Sequence, residues 1–297
     1  MAPCYIAFPD IRKSEMKRLI RSALFVPANN ARAIEKAANL GADMLVLDLE
    51  DAVGPDDKDA AREIVAGALS LWQSSGALRA VRVNGANTAW GAADLRAASQ
   101  AEAVILPKVE QVGDLHAARS TLNAHGSSVP LWAMIETPRG VLHAAAIAGA
   151  TGTGLGGLMA GVNDLARALR CAPDQDRMAL LPHLAQILCA ARASGLYALD
   201  GVYNQFRDQD GFMREARQGR ALGFDGKTLI HPGQIEPAHQ CFQPSPAELE
   251  RAAQIVAAFT DPAHAGKGVI NLDGDMVERL HLEAARALLS AGSGNDP

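Results

Sequence analysis

Short, nearly continuous apolar runs alternate along the chain with longer segments whose apolar residues recur every three to four positions. The run 43–50 (Asp-Met-Leu-Val-Leu-Asp-Leu-Glu) reads as a strand buried on both faces, as strands of parallel sheets are. Before it, Asn29 or Asn30 is placed to cap a helix with Ile34, Ala37 and Ala38 on one face, and Gly41 ends that helix. After it, Pro55, Asp56 and Asp57 open a second helix. Its Ala61, Ile64, Val65, Ala68, Leu69 and Trp72 follow the 3.6-residue period. The alternation then repeats. Strand-like runs fall at 22–28, 43–50, 79–84, 103–109, 130–136, 155–164, 197–202 and 224–230. Helical stretches fall at 30–40, 57–74, 91–100, 111–124, 138–148, 176–194 and 208–221. Eight strands alternating with helices predict an α/β fold, a (β/α)8 TIM barrel over residues 20–243. The alternative is an open doubly wound sheet. Its dinucleotide-binding form needs a Gly-rich turn after the first strand, where this chain has Asn29-Asn30.

From Pro244 onward the pattern changes. A helix from Glu248 to Phe259, a short strand at 269–272 and a last helix from about Asp275 to Leu289 make a small α/β extension over 244–297. So short a segment cannot bury enough surface to fold alone. It is expected to pack on the barrel or on a neighbouring subunit, using Leu280, Leu282, Ala285, Leu288 and Leu289, and hence to form a homo-oligomer. The last six residues are expected to fray.

Composition narrows the function. The chain of 297 residues is 48% hydrophobic and 21% charged, which excludes a disordered polar chain. A net charge of −5, with no run of five basic residues, argues against a nucleic-acid footprint. No apolar run reaches the roughly 18 residues of a spanning helix, and residues 1–10 lack the basic-then-apolar form of an export signal. Cys4, Cys171, Cys189 and Cys241 are scattered, without a Cys-x-x-Cys pair. They read as small buried hydrophobes of a cytoplasmic protein rather than zinc ligands.

Barrel active sites lie at the C-terminal ends of the strands, and ionisable groups recur there. Asp48, Glu50 and Asp51 end the second run, Arg82 and Asn84 the third, Lys108 the fourth, Glu136 the fifth, and Asn163 and Asp164 the sixth. Asp200 lies in the seventh, and His231 follows the eighth. Glu136 and Asp164, from adjacent strands, are candidate ligands of Mg2+, which takes one or two protein carboxylates and fills its octahedron with water and substrate oxygens. Arg82 is a candidate for stabilising a developing enolate oxygen. The alternative is a set of structural ion pairs on the rim. Other signals weigh less. The run Gly152-Thr-Gly-Leu-Gly-Gly157 matches G-x-G-x-x-G but precedes a strand, so it reads as a connecting loop. The histidines show no metal-ligand spacing. Lys108 or Lys227 as a Schiff-base lysine is the minor mechanism.

At these residues the chain resembles the citrate lyase β-subunit-like branch of the HpcH/HpaI aldolase superfamily, which includes malyl-CoA and citramalyl-CoA lyases. The matching stretches are Arg21-Ser-Ala-Leu-Phe-Val-Pro27, Gly41-Ala-Asp-Met-Leu-Val-Leu-Asp-Leu-Glu-Asp-Ala-Val53, Arg82-Val-Asn84 and Leu106-Pro-Lys-Val-Glu110. They continue with Ile135-Glu-Thr-Pro-Arg-Gly140, Asp200-Gly-Val-Tyr203, Gly223-Phe-Asp-Gly-Lys227 and Ile230-His-Pro232. The resemblance implies Mg2+ on Glu136 and Asp164, and an acyl-CoA thioester substrate contacted by Arg82. Arg21, Asp48, Glu50 and Glu136 are the further candidate substrate contacts. It also implies assembly into trimers or hexamers, with cleavage or formation of a C–C bond beside the thioester to give acetyl-CoA and a 2-oxo acid. Two positions depart from the family's pattern. Pro27-Ala-Asn29 stands where Pro-Gly-Asp is common, and Met276-Val-Glu278 stands for Met-Ile-Asp. By this match Glu278 is the candidate general base, reaching a neighbouring subunit's site. Three further readings stay open: a citrate lyase β subunit acting on a carrier-bound thioester, a malyl-CoA thioesterase, and a non-catalytic relative.

Overall fold

The computed structural model describes residues 18–292; the expectations for Cys4, for residues 1–10 and for fraying at 293–297 lie outside the described residues, while Gly292 belongs to the last helix. Eight parallel strands close into a barrel in sequence order. They are β1 (Ser22–Pro27), β2 (Met44–Asp48), β3 (Leu78–Arg82), β4 (Ala103–Leu106), β5 (Leu131–Ile135), β6 (Leu155–Ala160), β7 (Tyr197–Asp200) and β8 (Gly226–Leu229). β8 pairs back onto β1, with Ser22 opposite Lys227, and this closure rules out the open sheet.

Successive strand residues point to opposite faces. One parity, including Ala23, Met44, Val46, Ala80, Ile105, Trp132, Met134, Met159 and Leu199, forms an apolar plug inside the barrel. The other parity, including Leu45, Leu47, Val81, Val104, Ala133 and Leu158, packs against the helices. Fully buried strands therefore read as continuous apolar runs rather than alternating ones.

Local structure follows sequence chemistry, with some corrections. Asn30 is the residue that caps the helix Ala31–Ala37, its side chain accepting from the Ala33 N–H at 3.0 Å. The stretch 57–74 breaks at Ile64 into the helices Lys58–Glu63 and Val65–Leu71. The sixth strand does not run to Asp164: it stops at Ala160, and Gly161 opens the helix Val162–Leu169. Val162 and Leu165 lie one turn apart and are buried together, a helical spacing hidden behind the preceding apolar run. Gly156 and Gly157 belong to β6 itself, and a Cβ on Gly157 would fall 2.4 Å from the Trp132 ring. Close packing therefore explains this end of the glycine-rich run. Among the described cysteines only Cys241 is buried; Cys171 is half-buried and Cys189 exposed.

The barrel belongs to one compact unit, Ile20–Phe242, and the chain after Phe242 to a second. In the second, Ser245 and Glu248 form a reciprocal cap on the helix Pro246–Thr260. Residues from Asp275 on, expected to be helical, instead form a strand. β9 (Val269–Leu272) and β10 (Asp275–Glu278) pair as an antiparallel hairpin. Its two turn residues, Asp273 and Gly274, take φ of +57° and +94°. Asp-Gly is a strong signal for the left-handed two-residue turn, and Ile270 faces Val277 across the pair. The last helix is Arg279–Gly292, with Leu282 and Ala285 buried and Leu280 exposed. Among the described residues no helix is long and apolar enough to cross a membrane.

Candidate active site

The inward parity that builds the apolar plug turns polar at the C-terminal rim. Two residues beyond Ala23, Val46, Ala80 and Met134 come Phe25, Asp48, Arg82 and Glu136. The site is thus the last layer of the barrel interior. It forms a cavity of about 410 Å3 whose lining includes Asp48, Asp51, Arg82, Glu136, Gly161 and Asp164.

Strand register pairs Asp48 with Arg82 on β2 and β3. Arg82 grips both oxygens of Asp48, through Nε to Oδ1 at 2.7 Å and Nη2 to Oδ2 at 2.6 Å. Its guanidinium lies 5.0 Å over the Phe25 ring. Burial alone would lower the arginine's pKa, but Asp48, Glu50 and Asp51 more than offset it, so the pKa is raised and Arg82 stays cationic. Nη1 forms an ion pair with Glu50 Oε2 at 2.9 Å, and that buried oxygen accepts no hydrogen bond. Burial raises the Glu50 pKa despite these cations.

Lys108 follows β4 in a left-handed conformation, φ +50°, rare for a residue with a side chain. Its N–H donates to Glu136 Oε1 at 2.6 Å, while its ammonium bonds Glu50 Oε1. Glu136 is 3% exposed, and burial, with the negative charge of Glu50, pushes its pKa to about 7. Its second oxygen has room only because residue 161 is glycine: a Cβ there would sit 2.4 Å from Oε2. Asp164 lies not at a strand end but in the first turn of the helix Val162–Leu169, paired with Arg167 at 2.8 Å.

Of the anticipated barrel residues, Glu50 and Arg21 do not line this cavity. Arg21 precedes β1, at the opposite, N-terminal end of the barrel, where its guanidinium holds Asp43 with bonds of 2.8 and 2.9 Å. It ties the start of β1 to the start of β2. Glu278 ends β10 in the second unit, half-buried, its N–H donating to His281 Nδ1 at 2.9 Å. Asp200, also placed on the rim by sequence, points outward into a buried ion network (described below).

Residues 21–232 match the family HpcH/HpaI aldolase/citrate lyase. The chain belongs to this family. It is 46% identical over 272 residues to a (3S)-malyl-CoA thioesterase of Cereibacter sphaeroides, covering 91% of this chain and 93% of that protein. It is 37% identical over 282 residues to the citrate lyase subunit beta of Escherichia coli, covering 92% and 93%. Its fold matches Mycobacterium tuberculosis CitE, solved in complex with magnesium, acetoacetate and coenzyme A, with a TM-score of 0.75 and 31% identity. That match covers 92% of this chain and 98% of CitE.

In this HpcH/HpaI family member the donor set suits a hard divalent ion. Glu136 offers one oxygen against Gly161, Asp164 lines the same cavity, and a buried oxygen of Glu50 lacks a hydrogen bond. Among the described residues no three His, Cys, Asp or Glu side chains converge into a cage. That suits Mg2+, which keeps several waters, better than zinc. The lysines do not suit a Schiff base. Burial lowers the Lys108 pKa, but its hydrogen bond to Glu50 and the surrounding acids raise it further, so its ammonium stays protonated. Lys227 is fully buried and turned away from the cavity, bonded to Glu215 at 2.6 Å and Asp200 at 3.2 Å, with Arg177 completing the network. Gly161 was missed by sequence reasoning. Its signal was a lone glycine immediately before a run with helical spacing and an acid in its first turn.

Proposed function

We propose that the chain is a magnesium-dependent enzyme acting on an acyl-CoA thioester, and that its reaction is hydrolysis of a malyl-CoA-like 3-hydroxyacyl thioester. The observation that carries this is the near full-length, 46% identity to a (3S)-malyl-CoA thioesterase. It is joined by the placement of Arg82, Glu136 and Asp164 around one cavity. In this reading Glu136 and Asp164 hold the Mg2+, which when bound supplies a Lewis acid that fixes and polarises substrate oxygens. Asp48 holds Arg82 in one orientation, so its positive charge is pre-aimed where oxyanion charge develops. The apolar plug closes the barrel beneath the site and limits water entry from below. Glu278, from a neighbouring copy in a homo-oligomer, is the base that takes a proton from water as the water oxygen attacks the thioester carbonyl. The C–S bond then breaks, and coenzyme A leaves as a thiolate that takes up a proton.

The second reading is C–C cleavage of the same substrate class, favoured by the similarity to CitE of M. tuberculosis, which was solved with oxaloacetate and magnesium. There the base takes the proton of the 3-hydroxyl instead. Product analysis separates the two. Incubation with (3S)-malyl-CoA and Mg2+ should release free thiol and malate in equal amounts. Acetyl-CoA and glyoxylate without free thiol would establish the lyase instead. Loss of turnover in excess chelator, restored by Mg2+, tests the metal. Full activity of Glu136→Ala would remove that assignment.

A further inference from the structure

The acids of the rim come from separate segments: Glu50 and Asp51 follow β2, Glu136 follows β5, and Asp164 opens the helix after β6. Like charges so close need a compensating cation to stay ionised together. The other nearby cations each serve one segment. Arg82 holds Asp48 with two nitrogens and faces Glu50 and Asp51, acids of the same β2 segment, with the third at 2.9 and 3.8 Å. Lys58 directs its ammonium to the carbonyls of Leu49 and Glu50 at 2.7 and 2.6 Å. Arg167 is a largely exposed partner of Asp164 from the same helix.

Lys108 differs from all three. Its ammonium bonds Glu50 and lies 3.7 Å from both Asp51 Oδ1 and Asp164 Oδ2. Through its N–H it also touches Glu136. One residue therefore reaches every acidic segment of the rim. Its left-handed backbone, φ +50°, sends the N–H towards Glu136 while the side chain crosses to the acids after β2. A strained conformation retained at a site signals that the surroundings over-determine it.

We propose that Lys108 is the resident counter-cation of this site: it neutralises the acidic rim when no metal is bound and sets, by repulsion, how tightly the site takes a divalent ion. The inference rests on the magnesium reading above. Any cation taken up by Asp164 shares that carboxylate's field with the ammonium. A unit charge a few ångströms away, at the effective dielectric of a protein surface, matters on the scale of tenfold or more in affinity. Lys108 is thus a positioning residue that opposes the metal electrostatically, while its main chain holds Glu136 for it.

The test is Mg2+ titration of the metal-free, full-length protein by calorimetry. It compares the wild type with Lys108→Met, Lys108→Gln and Lys108→Arg. All three replacements are unbranched at Cβ like lysine, so the left-handed backbone gains no new strain. With 40% of the side chain exposed, neither neutral variant opens the core, and Gln serves if Met does not fold. Loss of the charge should tighten Mg2+ binding at least tenfold in the Met and Gln variants, while Arg stays near wild type. The metal-free Met variant should also melt at a lower temperature, with a larger rise on adding Mg2+. A purely structural lysine would give the opposite, since disorder at the site loosens binding. Unchanged or weaker binding in both folded neutral variants overturns the proposal while leaving the metal reading intact. No binding by the wild type removes the metal reading itself, and the proposal with it.

Discussion

Replacing Gly161 by alanine adds one methyl group to a site where there is no room for it. The new Cβ would lie 2.3 Å from the Glu136 Cβ and 2.4 Å from Glu136 Oε2. Non-bonded heavy atoms settle at roughly 3.5 Å or more, so one partner must move by about 1 Å. Neither yields freely. Glu136 is 3% exposed and pinned by the Lys108 N–H, and Gly161 is tied to β5 by its N–H to Ile135 O at 3.0 Å. The φ of −94° at Gly161 is open to alanine, so the effect is steric and not a backbone penalty. Overpacking of this kind costs about 1–3 kcal/mol of stability. The larger effect falls on the site, because a misplacement of about 1 Å costs on the order of 100-fold in rate. Turnover of (3S)-malyl-CoA at saturating Mg2+ should drop by that order, Mg2+ should bind more weakly, and denaturant melts should show a protein that is folded and modestly destabilised. Wild-type turnover in Gly161→Ala would refute the reasoning, because it would mean that the position of Glu136 does not matter.

Four further outcomes are expected from the proposed site and the buried ion network. Arg82→Lys keeps a charge but loses the fork that holds both Asp48 oxygens, so kcat should fall roughly 100–1000-fold; a near-normal kcat would make Arg82 structural. If Glu278 acts across a subunit boundary, Glu278→Ala and Arg82→Ala should each be inactive alone and regain part of their activity when mixed under subunit exchange. A fully active Glu278→Ala would end its role as base, and failure to complement despite proven exchange would place the base in its own subunit. Lys227→Met should cost about 3–5 kcal/mol in urea unfolding, because it leaves two buried carboxylates, Asp200 and Glu215, to share the single cation Arg177. Burial would raise the Asp200 pKa, but Lys227 and Arg177 more than offset it and hold it below its ordinary value. The stabilisation from Asp200 is therefore complete above about pH 3.9 and is lost only as the pH falls below that, which stability measured from pH 2 to 6 would show.

The barrel was legible in the sequence because its strands, buried on both faces, announce themselves as short apolar runs punctuated by capped helices. The charges at the ends of those runs marked the rim for the same reason. Burial forbids ionisable groups along the strand, so those that remain collect where the strand emerges. Arg82, Glu136, Asp48 and Glu50 were found in this way. Linear order places Arg21, one residue before β1, at the end of the strand away from the site, and the closed barrel pairs it there with Asp43. Linear order does not say which distant residue a flanking charge will meet. Nor does it say which face an in-strand charge takes. Asp200 and Lys227 point outward into an ion network because each lies one residue out of phase with the inward parity. Where an apolar strand runs directly into an amphipathic helix, as at Ala160–Val162, hydrophobicity is continuous across the boundary, and only backbone pairing shows where the strand stops. The room that Gly161 leaves for Glu136, and the reach of Lys108 across three acidic segments, depend on distances between residues far apart in the chain. Those distances are set by strand register and barrel closure, and so by the tertiary structure alone.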